Sequence, residues 1–488
     1  MLIVTLKRSL MLSAVLLVAA FAGTAGQASA SIKTGIYDLF TFPNPGQRAD
    51  ALQKTRDAGG NLAKSLLWWR SVAPGSEPAN PTNPNAGYNW AVPDAFVSAA
   101  RSRGLEPVLT IFQAPSWASG SRVSRNGYDG VNKVSTSKFH DFAVALAKHY
   151  SGQVHYYEAW NEPNLPWFFT PQIKNGNFVS PARYRALLSA FATGIHSVDP
   201  HAKVIGGNTA PFGHPPPSGQ SIGPKPFLKG VVSQKVRFDA WSTHPYTYGG
   251  PTHHANKRSD VSLGDMGELR SILNKARKSG KILGAHKPQL WASEFSWDSK
   301  GPDSRGVPMR RLSRWISETV YRLNKSGVQT LLWFGMRDRP FYNIQTQSGF
   351  WFCGTAAVDV GQSAPCGSST FNLDNDDKKP IFKAFRFPFV AYAGGGKVKV
   401  WGKRPGGEGG PIEIWRKKPT GSWSKVTTID PGINFSKTFN SSWTKGVYKA
   451  VIPSAGISSV PFSIVKQGDK AALPFGCLST PTCGPDGR

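Results

Sequence analysis

Cysteine is scarce, with four in 488 residues. That is too few for a fold stapled throughout by disulfides, and none has the His or Cys spacing of a zinc site. Acidic side chains are scarce as well, 29 Asp and Glu against 58 Lys and Arg, for a formal net charge of +29. The excess runs through both parts of the chain. A nucleic-acid reader gathers such charge into one stripe, so nucleic acid is not an expected partner. Long apolar runs are missing beyond the N-terminus, which leaves no later segment fit to anchor the chain in a membrane. No Gly-rich phosphate fingerprint follows the first strand-like run, and this argues against a doubly wound nucleotide-binding sheet. No loop has the ligand spacing of a calcium site. Asp298, Asp338 and the run Asp374-Asn375-Asp376-Asp377 therefore read as solvated loop acids, and neither metal nor cofactor is expected.

What is present begins with an export signal. Lys7 and Arg8 precede the apolar run Leu10–Ala22, and Ala28-Ser29-Ala30 offers a small-residue cleavage site. Residues 1–30 are expected to be removed after Ala30, and the mature chain to be secreted. An even number of cysteines suits an oxidising compartment. Their proximity in sequence predicts two local bridges, Cys353 with Cys366 and Cys477 with Cys483.

From residue 31 to 394 short apolar runs alternate with helical periodicity. The strand-like runs are TGIYDLF (34–40), NLAKSLLWW (61–69), EPVLTIF (106–112), VHYYEAW (154–160), KVIGGN (203–208), FDAWSTH (238–244), QLWASEF (289–295) and VQTLLWF (328–334). Amphipathic segments such as STSKFHDFAVALAKHYSG and RRLSRWISETVYRLNKSG lie between them, and KPIFKAFRFPFVAYAGGG reads as a last helix. Eight such repeats predict a (β/α)8 barrel of the α/β class, with catalytic groups at the C-terminal ends of its strands. Residues 395–467 change texture to short alternating runs between Gly, Pro and Asn turns, the pattern of a small β-sandwich. Residues 468–488 form a tail with no core of their own.

Strand ends carry the chemistry. The fourth run closes in Asn161-Glu162-Pro163-Asn164, the sixth in His244-Pro245-Tyr246, and the seventh in Ser293-Glu294-Phe295. The eighth run contains Trp333. In a barrel these converge on one mouth, with Glu162 and Glu294 facing each other across the axis. Two such carboxyl groups are what glycoside hydrolysis requires, one protonated and one ionised. Apolar surroundings raise a carboxyl pKa and suit Glu162 to the acid role, whereas His244 and Tyr246 suit Glu294 to the nucleophile role.

The segments YYEAWNEPN and LWASEFSWD resemble the acid/base and nucleophile segments of clan A retaining glycoside hydrolases. The longer stretch YYEAWNEPNLPWFF…YRALLSAFATGIHSVDPHAKVIGG is most similar to glycoside hydrolase family 39, over a barrel resembling the cellulase-like family 5. The likeness spans about residues 34–394 and stops short of the β-sandwich. It implies Glu162 as general acid/base, Glu294 as nucleophile and Asn161 as the holder of the sugar 2-hydroxyl. It further implies that Tyr246 orients the nucleophile, with His244 in the same network, and that Trp333 floors the subsite of the cleaved sugar. The clan places an Arg on strand two against the nucleophile. Here Lys64 stands in that place, with Arg70 beyond the strand as the alternative, and Lys lacks the planar fork.

Sixteen tryptophans need a use. Trp117 and Trp167 are candidate sugar platforms, since aromatic rings pack on the apolar faces of sugars. Trp69, Trp160, Phe168 and Trp297 lie near strand ends too and read equally as core. Trp401, Trp415, Trp423 and Trp443 mark the β-sandwich, read as a docked structural module in preference to a carbohydrate-binding one. Polysaccharide or oligosaccharide is the expected partner of a monomeric enzyme. Endo action on polymer is the preferred reading over exo action, and a non-catalytic polysaccharide-binding barrel is the rival.

Overall fold

Eight apolar runs, each too short for anything but a strand, close on one another through parallel pairing. The computed structural model describes residues 31–466 apart from 122–127, 216–218, 302, 340–345, 354–372, 395, 418–420, 431 and 441–445. The expected signal, the tail, Cys366, Cys477, Cys483 and Trp443 lie outside the described residues. Cys353 is disulfide-bonded.

In chain order the barrel elements begin with β1 (Lys33–Tyr37), α1 (Arg48–Asp57), β2 (Leu62–Trp68), α2 (Ala91–Arg101), β3 (Glu106–Phe112) and α3 (Thr136–His149). They continue with β4 (Tyr156–Ala159), α4 (Ser180–Val198), β5 (Lys203–Thr209), α5 (Pro224–Val231) and β6 (Val236–Thr243). Then come α6 (Met266–Lys278), β7 (Ile282–Phe295), α7 (Met309–Lys325), β8 (Thr330–Phe334) and α8 (Pro380–Arg386). The strands pair in sequence order and β8 returns to β1, so the sheet is a closed (β/α)8 barrel. Among the described residues no helix is long and apolar enough to cross a membrane.

Period-two alternation decides what each strand residue touches. Tyr37, Leu62, Val108, Ile205, Ala240, Trp291 and Leu332 fill the barrel interior. Their neighbours Ile36, Ala63, Leu109, Tyr157, Val204 and Leu331 face the helices in the outer core. Local chemistry starts the helices. The Ser135 hydroxyl accepts from the Lys138 amide at 3.4 Å ahead of α3, and Pro opens α4, α5 and α8.

Two register shifts matter for function. On β5 four residues, Gly206 to Thr209, span what three residues of β6, Trp241 to Thr243, span. On β7 four residues, Ala292 to Phe295, span what three residues of β8, Leu331 to Trp333, span. An extra residue of this kind bends a strand and re-aims a side chain. The β5 bulge needs Gly207, whose φ is +94° and where an added Cβ would fall 2.4 Å from the Ser242 carbonyl oxygen.

The segment expected as one last helix is instead a helix and a strand. Pro388 has no N–H and drives Phe387 out of helical geometry (φ −131°, ψ 70°), so α8 stops at Arg386. The chain re-emerges as β9 (Phe389–Gly394), which pairs with β10 (Lys397–Lys403). Next follow β11 (Ile412–Lys417), β12 (Trp423–Ile429), β13 (Asn434–Asn440) and β14 (Val447–Ile452). One sheet runs β13-β10-β9 and ends in Val465–Lys466; the other holds β12-β11-β14 with two short strands, Ile457–Ser458 and Phe462–Ser463. Rings from the two sheets meet at Tyr392 and Phe462 (6.0 Å) and at Phe439 and Tyr448 (6.2 Å), which makes a small sandwich. It docks on α7, where Tyr321 packs on Trp401 at 5.3 Å and Tyr392 donates to Glu318 at 3.4 Å. Lys403 reaches Thr34, near the start of β1 and therefore at the end of the barrel away from the strand C-termini. Trp401 is buried in this junction.

Candidate active site

Strand β4 ends abruptly. Trp160 adopts a left-handed φ of +78° and Glu162 one of +42°, a cost of about 1–3 kcal/mol for each non-glycine residue. Hydrogen bonds to β5 hold the turn. The Glu162 amide donates to the Asn208 carbonyl at 2.9 Å, and the Asn208 side-chain amide donates to the Trp160 carbonyl at 2.8 Å. Asn208 sits in the β5 bulge at φ +47°, so two strained segments support each other. Asn164 fixes the rest of the loop by donating to Ile222 at 2.9 Å and accepting from the Ala210 amide at 2.9 Å.

The paired carboxylates converge through a histidine. Nδ1 of His244, just past β6, lies 2.9 Å from Oε1 of Glu162 and 3.6 Å from Oε2 of Glu294. The sum of those distances, 6.5 Å, is the most that can separate the two carboxylate oxygens. His244 is buried, while the side chains of Glu162 and Glu294 keep 15 % and 16 % exposure. Both are therefore reachable from solvent yet largely dry. Tyr246 donates its hydroxyl to Oε1 of Glu294 at 3.0 Å.

Electrostatics separate the two roles. Burial pushes the Glu162 carboxyl up to about 8, against a weaker opposing pull from Lys64. Burial raises Glu294 as well and the neighbouring Glu162 adds to the rise, while Lys64 and the Tyr246 hydrogen bond pull it back only in part. Burial lowers His244 to about 4, so its imidazole is neutral near pH 7. The His244–Glu162 contact is then a bond between an uncharged ring and a protonated carboxyl, not an ion pair. The arrangement holds one carboxyl protonated beside a second that is also raised but receives hydrogen-bond support from Tyr246.

Lys64 lies inside the barrel under this pair, but it does not reach the Glu294 carboxylate as the strand-two position implied. Its ammonium pairs with Oε2 of Glu158 at 2.7 Å, stands 4.4 Å from the Tyr37 ring centre, and donates to the Ser293 carbonyl at 3.2 Å. The shorter, unforked side chain finds the interior carboxylate of β4 first. Thr110 donates to the same Glu158 oxygen at 2.6 Å. Arg70 points away, half exposed and paired with Asp129 at 3.3 Å. Asn161 is nearly buried, and its Oδ1 has no hydrogen-bond partner among the described residues, the state of an acceptor left for a ligand.

Trp333 is corrected. It is fully buried in the outer core, 5.3 Å from Phe350 and 6.3 Å from Phe385 of α8, and its indole donates to the Ser348 carbonyl at 2.6 Å. On β8 the inward residues are Leu332 and Phe334, so Trp333 faces the outer core and not the mouth where a sugar would sit. Phe334 is the ring at the mouth, 5.4 Å from Tyr37.

Trp117 is a packing residue at the edge of the outer core. It meets the buried Trp69 edge-on at 5.8 Å and donates to the Pro74 carbonyl at 3.0 Å. Trp167 is 43 % exposed, on the loop after β4, and accepts from the Tyr128 amide at 3.1 Å. Trp297 is buried and ties down the loop after β6 by donating to Thr247 at 3.0 Å. Two of the loop acids are not solvated. Asp338 pairs with buried Lys379 at 2.5 Å and Asp376 with Arg337 at 2.7 Å, which anchors the chain after β8.

Sequence reasoning missed Asn208 and the Ser242–Ser293 hydroxyl contact that joins it inside the barrel, Ser293 donating to Asn208 at 3.1 Å. Their one signal was position, polar residues at the ends of apolar strands.

No family model matches the sequence, and no curated protein matches it. Solved structures do resemble it. A family 39 glycoside hydrolase from the gut symbiont Bacteroides cellulosilyticus WH2 superposes with a TM-score of 0.52 at 15 % identity, covering 85 % of this chain and 81 % of that one. A GH30 endoxylanase from Clostridium papyrosolvens C71 gives 0.42 at 10 % identity, over 84 % and 94 %. A GH5_18 protein from Bifidobacterium longum subsp. longum gives 0.44 at 13 % identity, over 72 % and 77 %. What is shared with the first of these, at such identity, is the fold.

Proposed function

We propose that this protein is an exported glycoside hydrolase that cleaves β-glycosidic bonds of a polysaccharide or oligosaccharide with retention of configuration. One observation carries the reading. Glu162 and Glu294 share His244 so closely that their oxygens stand at most 6.5 Å apart, with Glu162 the more strongly proton-retaining of the two. Retaining enzymes hold their carboxyl groups roughly 5–5.5 Å apart, and a wider gap is needed to seat a water for inversion.

In the first step an oxygen of Glu294 attacks the anomeric carbon as its bond to the leaving oxygen breaks. Glu162 gives its proton to that oxygen. In the second step Glu162, now ionised, takes a proton from water while the water oxygen attacks the anomeric carbon and the ester bond to Glu294 breaks. Tyr246 stabilises Glu294 as a carboxylate before attack and as a leaving group afterwards. Export is supported by the charged start, apolar run and small-residue site of residues 1–30.

The test is the configuration of the first product. NMR of a fresh digest of a β-glycoside is expected to show the β-anomer before mutarotation. An α-anomer first would replace double displacement by inversion, and no turnover of any β-glycoside would favour the non-catalytic polysaccharide-binding rival.

A further inference from the structure

Aromatic rings crowd the mouth beside Glu162 and are left open to solvent. Trp68 and Phe112 close β2 and β3 and pair in register. Thr110, two residues before Phe112, bonds Glu158 inside the barrel, and Trp68 and Phe112 stand at the mouth ends of β2 and β3, where Phe112 joins the core cluster that includes Trp160. The Trp68 and Phe112 rings are 6.5 Å apart. Phe112 is buried and serves as the base, with Tyr128 and Phe168 each 5.6 Å from it and 5.4 Å from one another. Trp68 keeps 40 % exposure and Tyr128 44 %. Exposed rings grouped in this way on a soluble protein mark an interaction surface.

The shelf is continuous with the acid. Phe168 lies in the loop that carries Glu162, where the Phe168 amide donates to the Leu165 carbonyl at 3.2 Å and the Leu165 amide to the Glu162 carbonyl at 3.0 Å. The Trp160 indole donates to the Phe168 carbonyl at 2.6 Å, and the Trp160 ring meets Phe112 at 5.5 Å. Glu294, Tyr246 and Phe334 belong to β6–β8 on the other side of the mouth.

We infer that Trp68, Tyr128 and Phe168 form a binding shelf for the leaving-group side of a β-linked pyranose chain, so that the enzyme acts on oligosaccharide or polymer and not on single-sugar glycosides alone. The inference rests on the reading of Glu162 as the acid. The group that protonates the leaving oxygen stands on the side toward which the departing sugars run, and here that side is the aromatic one. Flat pyranose rings offer apolar C–H faces to such rings. Trp167, the platform expected from sequence, flanks the shelf at Tyr128.

The experiment compares Trp68→Ala and Tyr128→Ala with the parent protein on two substrate types, β-glycosyl fluorides and the hexaoses of cellulose, xylan and mannan. Fluoride leaves no sugar for the shelf to hold. The expected result is a fall in kcat/KM on a hexaose about tenfold greater than on the matching fluoride, the effect of losing one ring–sugar stack. Trp68→Phe is expected to recover most of it. Equal losses on both substrates, no loss on either, or a parent enzyme that cleaves fluorides but no hexaose would overturn the shelf. A parent that cleaves neither type defeats the reading of the glutamates instead. The shelf is then judged by hexaose-induced quenching of tryptophan fluorescence, which must be lost in Trp68→Ala for it to stand.

Discussion

Nζ of Lys64 lies 2.7 Å from Oε2 of Glu158, and both side chains are fully buried inside the barrel. The pair joins β2 to β4, and the same ammonium grips the carbonyl of Ser293, the residue before Glu294. Removing one member leaves a dry, unpaired charge. Lys64→Met is expected to lower stability by about 3–5 kcal/mol in urea unfolding, and the double change Lys64→Met with Glu158→Leu by clearly less. A single variant as stable as the parent would contradict the pairing.

On the proposed mechanism the proton on Glu162 sets the alkaline limb of activity. With its carboxyl raised to about 8, kcat/KM is expected to fall as pH rises through that value, and Glu162→Gln to lack the limb. The same shift has a sign for stability. A carboxyl raised in the folded state binds more protons folded than unfolded between its ordinary value and about 8, so stability declines across that window. Thermal melts of Glu162→Gln against the parent are therefore expected to move in the variant's favour from about pH 5 to pH 8. A constant difference would place the proton elsewhere.

Tyr246 supports the ionised form of Glu294 through its 3.0 Å bond. Tyr246→Phe removes that charge-assisted bond, worth roughly 1.5–3 kcal/mol, and is expected to lower kcat/KM about 10- to 100-fold. The acidic limb should move to higher pH, because Glu294 loses one of the groups that hold its proton affinity down. A pH–rate profile checks both parts, and an unshifted acidic limb would deny Tyr246 this role.

Trp333 predicts a stability effect. As a buried outer-core residue with a satisfied indole, it should cost about 3–5 kcal/mol on change to Ala, with KM unaltered in the surviving folded fraction. A large rise in KM with little loss of stability would return it to the substrate site.

The strands were legible because each is a short apolar run, and EPVLTIF matches β3 residue for residue. Glu162, Glu294, His244 and Tyr246 were legible because barrel topology sends every strand end to one mouth. Side-chain direction was not. A register slip of one residue exchanges faces, which separates Trp333 from Phe334 and hides the bulge that turns Glu294 inward. Nor does hydrophobic pattern announce Asn208, whose role depends on a left-handed backbone. Interior charges are equally silent about partners, and Lys64 chose Glu158 where the strand-two position pointed to Glu294. The exposed ring at the end of β2 is Trp68, which the pattern did not single out, while Trp69 is buried. The last apolar segment hid a change from barrel helix to sandwich strand behind a single proline, Pro388.

The most direct measurement is chemical rescue of the two glutamates. Glu294→Ala should lose turnover of a β-glycoside, and azide should restore it with an α-glycosyl azide as the product, because azide then attacks from the nucleophile's face. In Glu162→Ala, azide should give the β-glycosyl azide on substrates with activated leaving groups. A Glu294→Ala enzyme that remains fully active, or that yields the β-azide, would contradict the assignment.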